Sequence, residues 1–349
     1  MCDARCLAAV VAYLLASEAG VSPRLAAAQD RLLGEAPPHL VVVTFDTTRA
    51  DRIGCYGYPG IDTPSIDRLA REGVLFTRAY CQAVQTLPSH ASLFTGLYPI
   101  TNDVVSNGQS LSDQAVTLAE LLRSNGYQTG AIVATAPLMR AFNLDQGFDT
   151  YVDSFEGSAF RRAFHSFFRI FSFNKLNIRT TRPAQRVAAL ARKWLRRAAR
   201  KKRPFFLWIH FIEPHYPYQF HPDFDKPKRV VSDGELNVYG EKESNYLNEI
   251  EFADYYLGQV LSYMDEVGLT GKTLTIFTAD HGESLGEHGY RGHRQEVYEP
   301  VIRVPLIFRF PGRLPAGKSL ETPAMLVDVM PTVLDLSGVP FDVVNVLVS

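Results

Sequence analysis

Short, continuous apolar runs that lead into a charged or imidazole side chain are the strongest constraint on the fold of this sequence. Residues 39–46 read HLVVVTFD, residues 204–212 read PFFLWIHFI, and LTIFTA at residues 274–279 leads directly into Asp280 and His281. Runs without polar alternation are typical of strands buried on both faces, as in parallel sheets. Open α/β sheets bind their ligands at the carboxyl ends of such strands. The pattern therefore predicts a parallel sheet with its chemistry along one edge.

Helical segments alternate with these strands along the chain. Thr63, Pro64 and Gly73 supply the cap, first turn and stop of one helix. We expect helices at 63–73, 89–95, 116–124, 245–267 and 327–336, and further strands at 128–134 and 303–310. This alternation favours an α/β fold with a doubly wound, mostly parallel sheet sandwiched by helices. The 349 residues are enough for one large domain of this kind.

Composition excludes several classes of protein. Lys and Arg total 36 and Asp and Glu total 37, so the net charge is −1 and no nucleic-acid partner is expected. Four cysteines, at positions 2, 6, 55 and 81, include no CxxC pair, which argues against a disulfide framework or structural zinc. The sequence contains no run of about 18 apolar residues, so no membrane span is expected.

Residues 1–38 are expected to be a leader or signal segment. An apolar stretch at 6–16 follows Arg5, and Ser17-Glu18-Ala19 resembles a signal-peptidase site, but Asp3 offsets the charge of Arg5. A signal peptide and an ordinary amphipathic helix fit this stretch equally well, with a weak lean towards an exported protein.

Residues 161–203 differ in composition from the rest of the chain. They contain fifteen Arg or Lys and no Asp or Glu, and their first part is rich in Phe. We expect an insertion or lid at 156–203 that includes a solvated basic helix at 187–202, because Phe in a lid usually serves packing. The alternative is a weak contact with an anionic membrane or a polyanionic substrate.

Three polar clusters follow the predicted strands, at residues 46–49, 213–215 and 280–283. Carboxylates and imidazoles at the carboxyl ends of parallel strands converge on one crevice, so together they predict a metal site. Any one of the Asp residues alone could equally be a helix N-cap. Three coincident clusters make that explanation a poor one.

Four motifs in order carry a family resemblance. VVVTFDTTRADRIGCYGY, TLPSHASLFTGLYP at 86–99, TADHGESLGEHG and RVPLIFRFPG together resemble the sulfatase family of the alkaline phosphatase superfamily, over about residues 40–339. The resemblance implies an alkaline-phosphatase-like catalytic domain at 39–340 that hydrolyses sulfate, phosphate or phosphonate esters. Such proteins usually continue into a small C-terminal domain. Here only a tail at 341–349 follows, so we expect either that the sequence is a fragment or that the small domain is missing.

The resemblance implies that Thr86 is the nucleophile. The family signature is Cys/Ser-x-Pro-x-Arg, with the first residue oxidised to formylglycine; here the matching window is Thr86-Leu87-Pro88-Ser89-His90. A threonine cannot be oxidised to an aldehyde, so no formylglycine is expected. A phosphorylated threonine can be cleared by in-line attack of water with metal help. Phosphate or phosphonate esters are therefore slightly favoured, and sulfate esters stay open.

The resemblance also implies a metal centre for one divalent ion. Asp46, Asp280 and His281 match metal ligands of the family, Thr86 adds an oxygen, and Thr47 stands where a second Asp is usual. An imidazole in the ligand set favours Mn or Zn, with Ca or Mg as possible alternatives.

Further catalytic roles are expected near Thr86. Asn107 is expected to bind the oxyanion, and either His215 or His293 to protonate the leaving group, for which an imidazole is well suited. His90 would orient Thr86 or cap its helix. Arg49 is expected to pair with Asp51 in preference to binding the oxyanion.

Two other functions stay open at this point. One is a transferase that moves a phosphoethanolamine or glycerophosphate head group through Thr86, and the other is a non-catalytic binding homologue. The expected partners are small anionic esters, or sulfated or phosphorylated glycans or lipids.

Overall fold

The structure is a computed structural model that describes residues 37–155, 181–224, 243–293 and 296–341. The predicted leader, except for its last two residues, the Phe-rich part of the basic segment and the tail at 342–349 lie outside the described residues. Within them, helices flank a central sheet of nine strands.

The strands, in chain order, are β1 (His39–Phe45), β2 (Val74–Tyr80), β3 (Gln128–Ile132), β4 (Thr150–Val152), β5 (Phe205–Phe211), β6 (Thr273–Ala279), β7 (Ser284–Leu285), β8 (Arg291–Gly292), β9 (Arg303–Arg309), β10 (Lys318–Leu320) and β11 (Ala324–Met325). The α-helices are α1 (Pro64–Arg71), α2 (Thr86–Thr95), α3 (Leu118–Ser124), α4 (Ala184–Ala198), α5 (Glu243–Glu266), α6 (Glu299–Ile302) and α7 (Val329–Leu336). Short 3-10 turns lie at Ala50–Arg52, Gly54–Tyr56, Ala136–Leu138, Arg140–Phe142, Pro222–Phe224, Thr270–Lys272, Glu287–Gly289 and Leu326–Asp328.

The main sheet has the strand order β10-β2-β9-β6-β1-β5-β3-β4, and β11 also pairs with β2. Strand β9 runs antiparallel to β2 and β6, and the other pairs are parallel. This confirms the predicted α/β fold with a mostly parallel sheet. The central strand β1 ends with Phe45 level with Phe211 of β5 and Ala279 of β6. The residues that follow these strands therefore emerge side by side.

Apolar cores lie on both faces of the sheet, as continuous apolar strands require. On one face, Val42 and Trp208 pack with side chains of α2, α3 and α7. On the other face, Val43 and Ile209 pack with side chains of α1, α4 and α5. Covering both faces leaves the carboxyl ends of the strands as the place where polar groups can gather.

Two helices differ from their expected form. Helix α2 begins at Thr86 instead of residue 89, because Pro88 fits the first turn, where no backbone N–H is needed for the helix. The basic helix expected at 187–202 is α4, which spans Ala184–Ala198. It was expected to be solvated, but it buries Val187, Ala191 and Leu195 on one face. None of the helices within the described ranges is long and apolar enough to span a membrane.

Candidate active site

A cluster of potential metal ligands lies at the carboxyl ends of β1 and β6. Asp46 directly follows β1, and Asp280 and His281 directly follow β6. One ligand atom from each of these residues lies within 4.8 Å of the others, and all three side chains are buried. The structure thus brings together three of the predicted metal-ligating residues.

The donor atoms of this cluster fit a divalent cation. Both carboxylate oxygens of Asp46, Oδ2 of Asp280 and Nε2 of His281 are buried with no hydrogen-bond partner among the described residues. Nδ1 of His281 lies 3.0 Å from the carbonyl oxygen of Gly282. A carbonyl only accepts, so Nδ1 carries the hydrogen and Nε2 presents a lone pair. Buried polar atoms of this kind are costly unless paired, and a cation would pair them.

Electrostatics within the cluster favour the same conclusion. Burial raises the pKa of Asp46 and of Asp280, and for Asp280 the charge of Asp46 adds to the effect. Burial lowers the pKa of His281, which keeps its imidazole neutral and available as a ligand. Two adjacent buried carboxylates are stabilised in their charged form by a bound cation.

Thr47 sits in a strained backbone conformation beside the cluster. Its φ of 49° lies in the left-handed region, which a β-branched residue rarely adopts. Its N–H donates to Oδ1 of Asp280 at 3.1 Å, and its carbonyl oxygen accepts from the Tyr246 hydroxyl at 2.7 Å. The Thr47 hydroxyl is buried without a hydrogen-bond partner among the described residues. These contacts hold a conformation that costs about 1–3 kcal/mol.

Thr86 is the first residue of α2, and the first turn of this helix contacts Asp280. The Ser89 hydroxyl donates to the carbonyl oxygen of Asp280 at 2.6 Å. Asn107, which is exposed, accepts from the N–H of Leu87 through its amide oxygen at 2.9 Å. Its NH2 group is therefore the part left to donate to an anion. The positive end of the helix dipole also favours an anionic group here.

His90 lies inside the fold, beneath Thr86. Its Nδ1 atom is 2.7 Å from the carbonyl oxygen of Thr86, and its Nε2 atom is 3.1 Å from the hydroxyl of Thr44. Burial lowers the pKa of His90 to about 3, so the ring is neutral. With both nitrogens held by the protein, His90 is placed to orient the first turn of α2 and not to contact a substrate.

His215 and His293 face each other beside His281. Nδ1 of His215 lies 2.5 Å from the carbonyl oxygen of Tyr216, and Nδ1 of His293 lies 3.2 Å from that of Val84. Each Nδ1 therefore carries a hydrogen, since a carbonyl only accepts. The two Nε2 atoms are 3.3 Å apart, within hydrogen-bond distance of each other. The His293 ring also lies 4.3 Å, centre to centre, from that of His281.

Arg49 is occupied by ion pairs. Its Nε and Nη2 donate to the two carboxylate oxygens of Asp51 at 2.8 and 2.7 Å, and its Nη1 donates to Glu287 at 2.5 Å. The structure thus supports the expected ion pair between Arg49 and Asp51 over binding of the oxyanion by Arg49.

Three residues near the cluster were not assigned roles from the sequence. His210 places Nε2 3.5 Å from Oδ2 of Asp46, Tyr246 holds the backbone of Thr47, and Glu283 is buried next to Arg49. A histidine inside an otherwise apolar strand was the available signal for His210. Tyr246 gives no such signal, because its contact depends on how α5 packs.

The structure is an α/β protein whose mostly parallel, helix-covered sheet places a cluster of potential metal ligands at the ends of its strands. Residues 38–339 match the sequence model of the Sulfatase family. The chain belongs to the sulfatase family, whose members use a divalent metal ion.

Curated relatives and solved structures agree with this assignment. The chain is 27% identical over 327 residues to the ulvan-active sulfatase of Formosa agariphila, covering 86% of this chain and 62% of that protein. It is 28% identical over 342 residues to human arylsulfatase A, covering 87% and 65%. The phosphonate monoester hydrolase of Agrobacterium radiobacter shares the fold, with a TM-score of 0.67, 24% identity and coverage of 87% and 74%.

The crystal structure of Ps i-CgsB in complex with k-i-k-neocarrahexaose also shares the fold, with a TM-score of 0.70, 23% identity and coverage of 88% and 74%. The chain spans about three fifths of the length of the ulvan-active sulfatase. The comparisons do not support the alternative of a weak membrane contact through residues 161–203.

Proposed function

We propose that the chain is a divalent-cation-dependent hydrolase of sulfate, phosphate or phosphonate esters that acts through a covalent ester on Thr86. The observation that carries this proposal is the set of buried donor atoms on Asp46, Asp280 and His281, which lack hydrogen-bond partners among the described residues. This set adjoins the helix turn that begins with Thr86. When bound, a divalent cation would supply Lewis-acid stabilisation of the ester and acidify a neighbouring hydroxyl.

Protein residues carry out the individual steps of ester hydrolysis. The Thr86 oxygen attacks sulfur or phosphorus, its hydroxyl proton passes to solvent water, and the bond to the leaving alkoxide breaks. The alkoxide takes a proton from the pair of His215 and His293. Asn107 and the N-terminus of α2 stabilise negative charge on the non-bridging oxygens. Water then attacks the same sulfur or phosphorus atom and gives a proton to the pair of His215 and His293. The bond to the Thr86 oxygen breaks, and that oxygen takes a proton from solvent to restore the hydroxyl.

The ligand atoms indicate which ion the site prefers, and the nucleophile indicates which ester it hydrolyses. The imidazole of His281 favours Mn²⁺ or Zn²⁺ over Ca²⁺ or Mg²⁺. The ulvan-active relative favours a sulfated glycan, and a threonine nucleophile without formylglycine favours a phosphate or phosphonate ester. The class of substrate is therefore the point that an assay must decide.

A matched substrate panel tests the proposal. Aryl sulfate, aryl phosphate, diaryl phosphate and aryl phosphonate share one leaving group, so their rates with Mn²⁺, Zn²⁺, Ca²⁺ or Mg²⁺ compare chemistry alone. The proposal expects cation-dependent release of the aryl alcohol from at least one ester, and loss of this release in Thr86→Ala. Ester hydrolysis that persists in full after chelation of metal ions would contradict it.

A further inference from the structure

Tyr246 is a fully buried tyrosine in the first turn of α5, 199 residues along the chain from Thr47. Its hydroxyl donates to the carbonyl oxygen of Thr47 at 2.7 Å and accepts from the N–H of Arg49 at 3.0 Å. These two groups belong to the peptide units on either side of Thr48. One hydroxyl therefore bridges the two peptide units and fixes the backbone turn that follows β1.

The turn needs this support because Thr47 adopts a φ of 49°, in the left-handed region. A β-branched residue rarely takes this conformation, and holding it there is costly. Without the hydrogen bonds to Tyr246, the backbone at Thr47 would be free to relax towards negative φ. Tyr246 therefore offsets backbone strain directly beside the proposed cation centre.

The same turn determines how the carboxylate of Asp280 is held. Its Oδ1 accepts from the N–H of Thr47 at 3.1 Å and from the N–H of His281 at 2.8 Å. Its Oδ2 has no hydrogen-bond partner among the described residues and is left for a cation. Two N–H groups on Oδ1 fix the direction of Oδ2, and relaxation of Thr47 would displace one of them.

We propose that Tyr246 is a positioning residue of the cation centre, which acts through the backbone of Thr47 to keep the Asp280 carboxylate in its ligating orientation. This inference rests on the proposed function, since it assumes that Asp46, Asp280 and His281 bind a divalent cation. Removing a group that orients metal ligands typically weakens metal binding about 10- to 100-fold. Because Tyr246 acts through an intervening residue, its effect belongs at the lower end of that range.

Binding of Mn²⁺ to the metal-depleted full chain, measured by isothermal titration calorimetry, tests this role without an activity assay. Tyr246→Phe removes the hydroxyl and keeps the ring, whose centre lies 5.4 Å from that of Tyr218. The substitution should weaken Mn²⁺ binding about 10-fold, because the turn at Thr47 loses both hydrogen bonds to the hydroxyl.

Tyr56→Phe is the matched control. The Tyr56 hydroxyl also bridges two backbone groups, since it donates to the carbonyl oxygen of Phe76 at 3.0 Å and accepts from the N–H of Leu306 at 2.8 Å. Those groups lie in β2 and β9 and not in the turn after β1. Tyr56→Phe should therefore lower stability but change the Mn²⁺ affinity less than about two-fold. An equal loss of affinity in the two variants, or native affinity in Tyr246→Phe, overturns the role of Tyr246.

A second substitution tests whether the effect passes through the strained turn. Asn adopts the left-handed region several-fold more readily than most residues, so the turn in Thr47→Asn needs less support. Relative to Thr47→Asn alone, the double variant Thr47→Asn/Tyr246→Phe should lose less than about three-fold in Mn²⁺ affinity. A loss as large as that of Tyr246→Phe in the native chain overturns a role through Thr47.

The double variant also decides the case if Tyr246→Phe folds poorly. The proposal expects Thr47→Asn/Tyr246→Phe to fold and to bind Mn²⁺, because the strain that Tyr246 offsets is smaller in this variant. A double variant that folds but does not bind Mn²⁺, while Thr47→Asn alone does bind it, overturns the proposal.

Asp280→Asn separates this inference from the proposed function. If Asp280→Asn loses Mn²⁺ while Tyr246→Phe binds it with native affinity, only the role of Tyr246 is wrong. If the native chain does not bind Mn²⁺, or Asp280→Asn binds it as well as the native chain, the proposed cation centre itself is wrong, and the inference falls with it.

Discussion

At the scale of single residues, buried polar atoms without partners gather where β1 and β6 end. Asp46, Asp280 and His281 keep such atoms there, and Thr47 and Glu283 add others within the described residues. Native proteins pair nearly all of their buried polar groups. These residues therefore carry a cost in stability at the place where the proposed chemistry needs them.

Glu213, just after β5, is another buried carboxyl group that lowers the stability of the fold. Burial and the charge of Glu249 raise the pKa of Glu213 to about 8. Between a pH of about 4.5 and about 8, the folded protein holds a proton that the unfolded chain releases, so the contribution of Glu213 to stability falls as the pH rises. We expect Glu213→Gln to make the free energy of unfolding less dependent on pH between 5 and 8, as measured by urea denaturation.

The glutamine keeps an oxygen that can accept the N–H of Ala184, which Glu213 now accepts at 2.8 Å. Glu321→Gln changes an exposed carboxylate and serves as the control. A Glu213→Gln variant with the same pH dependence as the native chain would show that Glu213 is ionised normally in the folded state.

The residues that could be predicted from the sequence are those that follow an apolar run. Asp46, Asp280 and His281 were placed at strand ends because the runs before them have an unmistakable composition. His210 lies inside such a run, where a histidine usually serves packing, and its approach to Asp46 depends on the register of β1 and β5. Glu283 was visible in the sequence, but its burial depends on contacts with distant segments.

At the scale of elements, helix α2 connects the proposed nucleophile to the proposed metal centre. Ser89 and His90 lie in its first turns. The Ser89 hydroxyl contacts the carbonyl oxygen of Asp280, just after β6, and the His90 ring contacts the hydroxyl of Thr44 in β1. The position of Thr86 relative to Asp280 therefore depends on hydrogen bonds from the helix as well as on packing.

Two serines in α2 allow this connection to be tested. Ser89→Ala removes the hydrogen bond to Asp280 and should lower the free energy of unfolding by about 1 kcal/mol. It should also reduce kcat more than it changes KM, because Thr86 loses part of its support. Chemical denaturation and steady-state kinetics on the best substrate of the panel measure the two effects.

Ser92→Ala is the matched control in the same helix. The Ser92 hydroxyl is buried but has no hydrogen-bond partner among the described residues, so its removal should leave stability nearly unchanged or raise it. Equal effects of the two substitutions would mean that the contact between Ser89 and Asp280 does not position Thr86.

Elements with a distinctive residue composition could be predicted from the sequence. Elements that form only because they pair with a neighbouring strand could not. The central strands β1, β5 and β6 are buried on both faces, which their apolar runs reveal. Strand β2 was missed because VLFTRAY mixes apolar and charged residues, and its side chains depend on pairing with β9. The short strands β4, β10 and β11 contain too few residues for a periodic pattern.

At the scale of the whole molecule, the order of strands assembles a site from distant parts of the sequence. Thr47 and Asp280 are 233 residues apart and share a hydrogen bond because β1 and β6 are neighbours. The order of strands in space is set by how helices and strands pack together, so only the resemblance to a known family could suggest it from the sequence.

A cation that binds only the folded protein should stabilise the whole domain. At a Mn²⁺ concentration 100 times the dissociation constant, the gain is about 2.7 kcal/mol, which raises Tm by several degrees for a domain of this size. Differential scanning calorimetry with and without Mn²⁺ measures the shift. Asp280→Asn should abolish it, whereas a shift of the same size in that variant would indicate that the ion binds elsewhere.

The mass of residue 86 during turnover tests the central claim most directly. The native chain, stopped with acid while hydrolysing its best ester substrate, should yield a peptide whose Thr86 carries the transferred sulfuryl, phosphoryl or phosphonyl group by mass spectrometry. Thr86→Ala should carry no such group and show no turnover. An adduct on another residue, or full turnover by Thr86→Ala, would contradict the account.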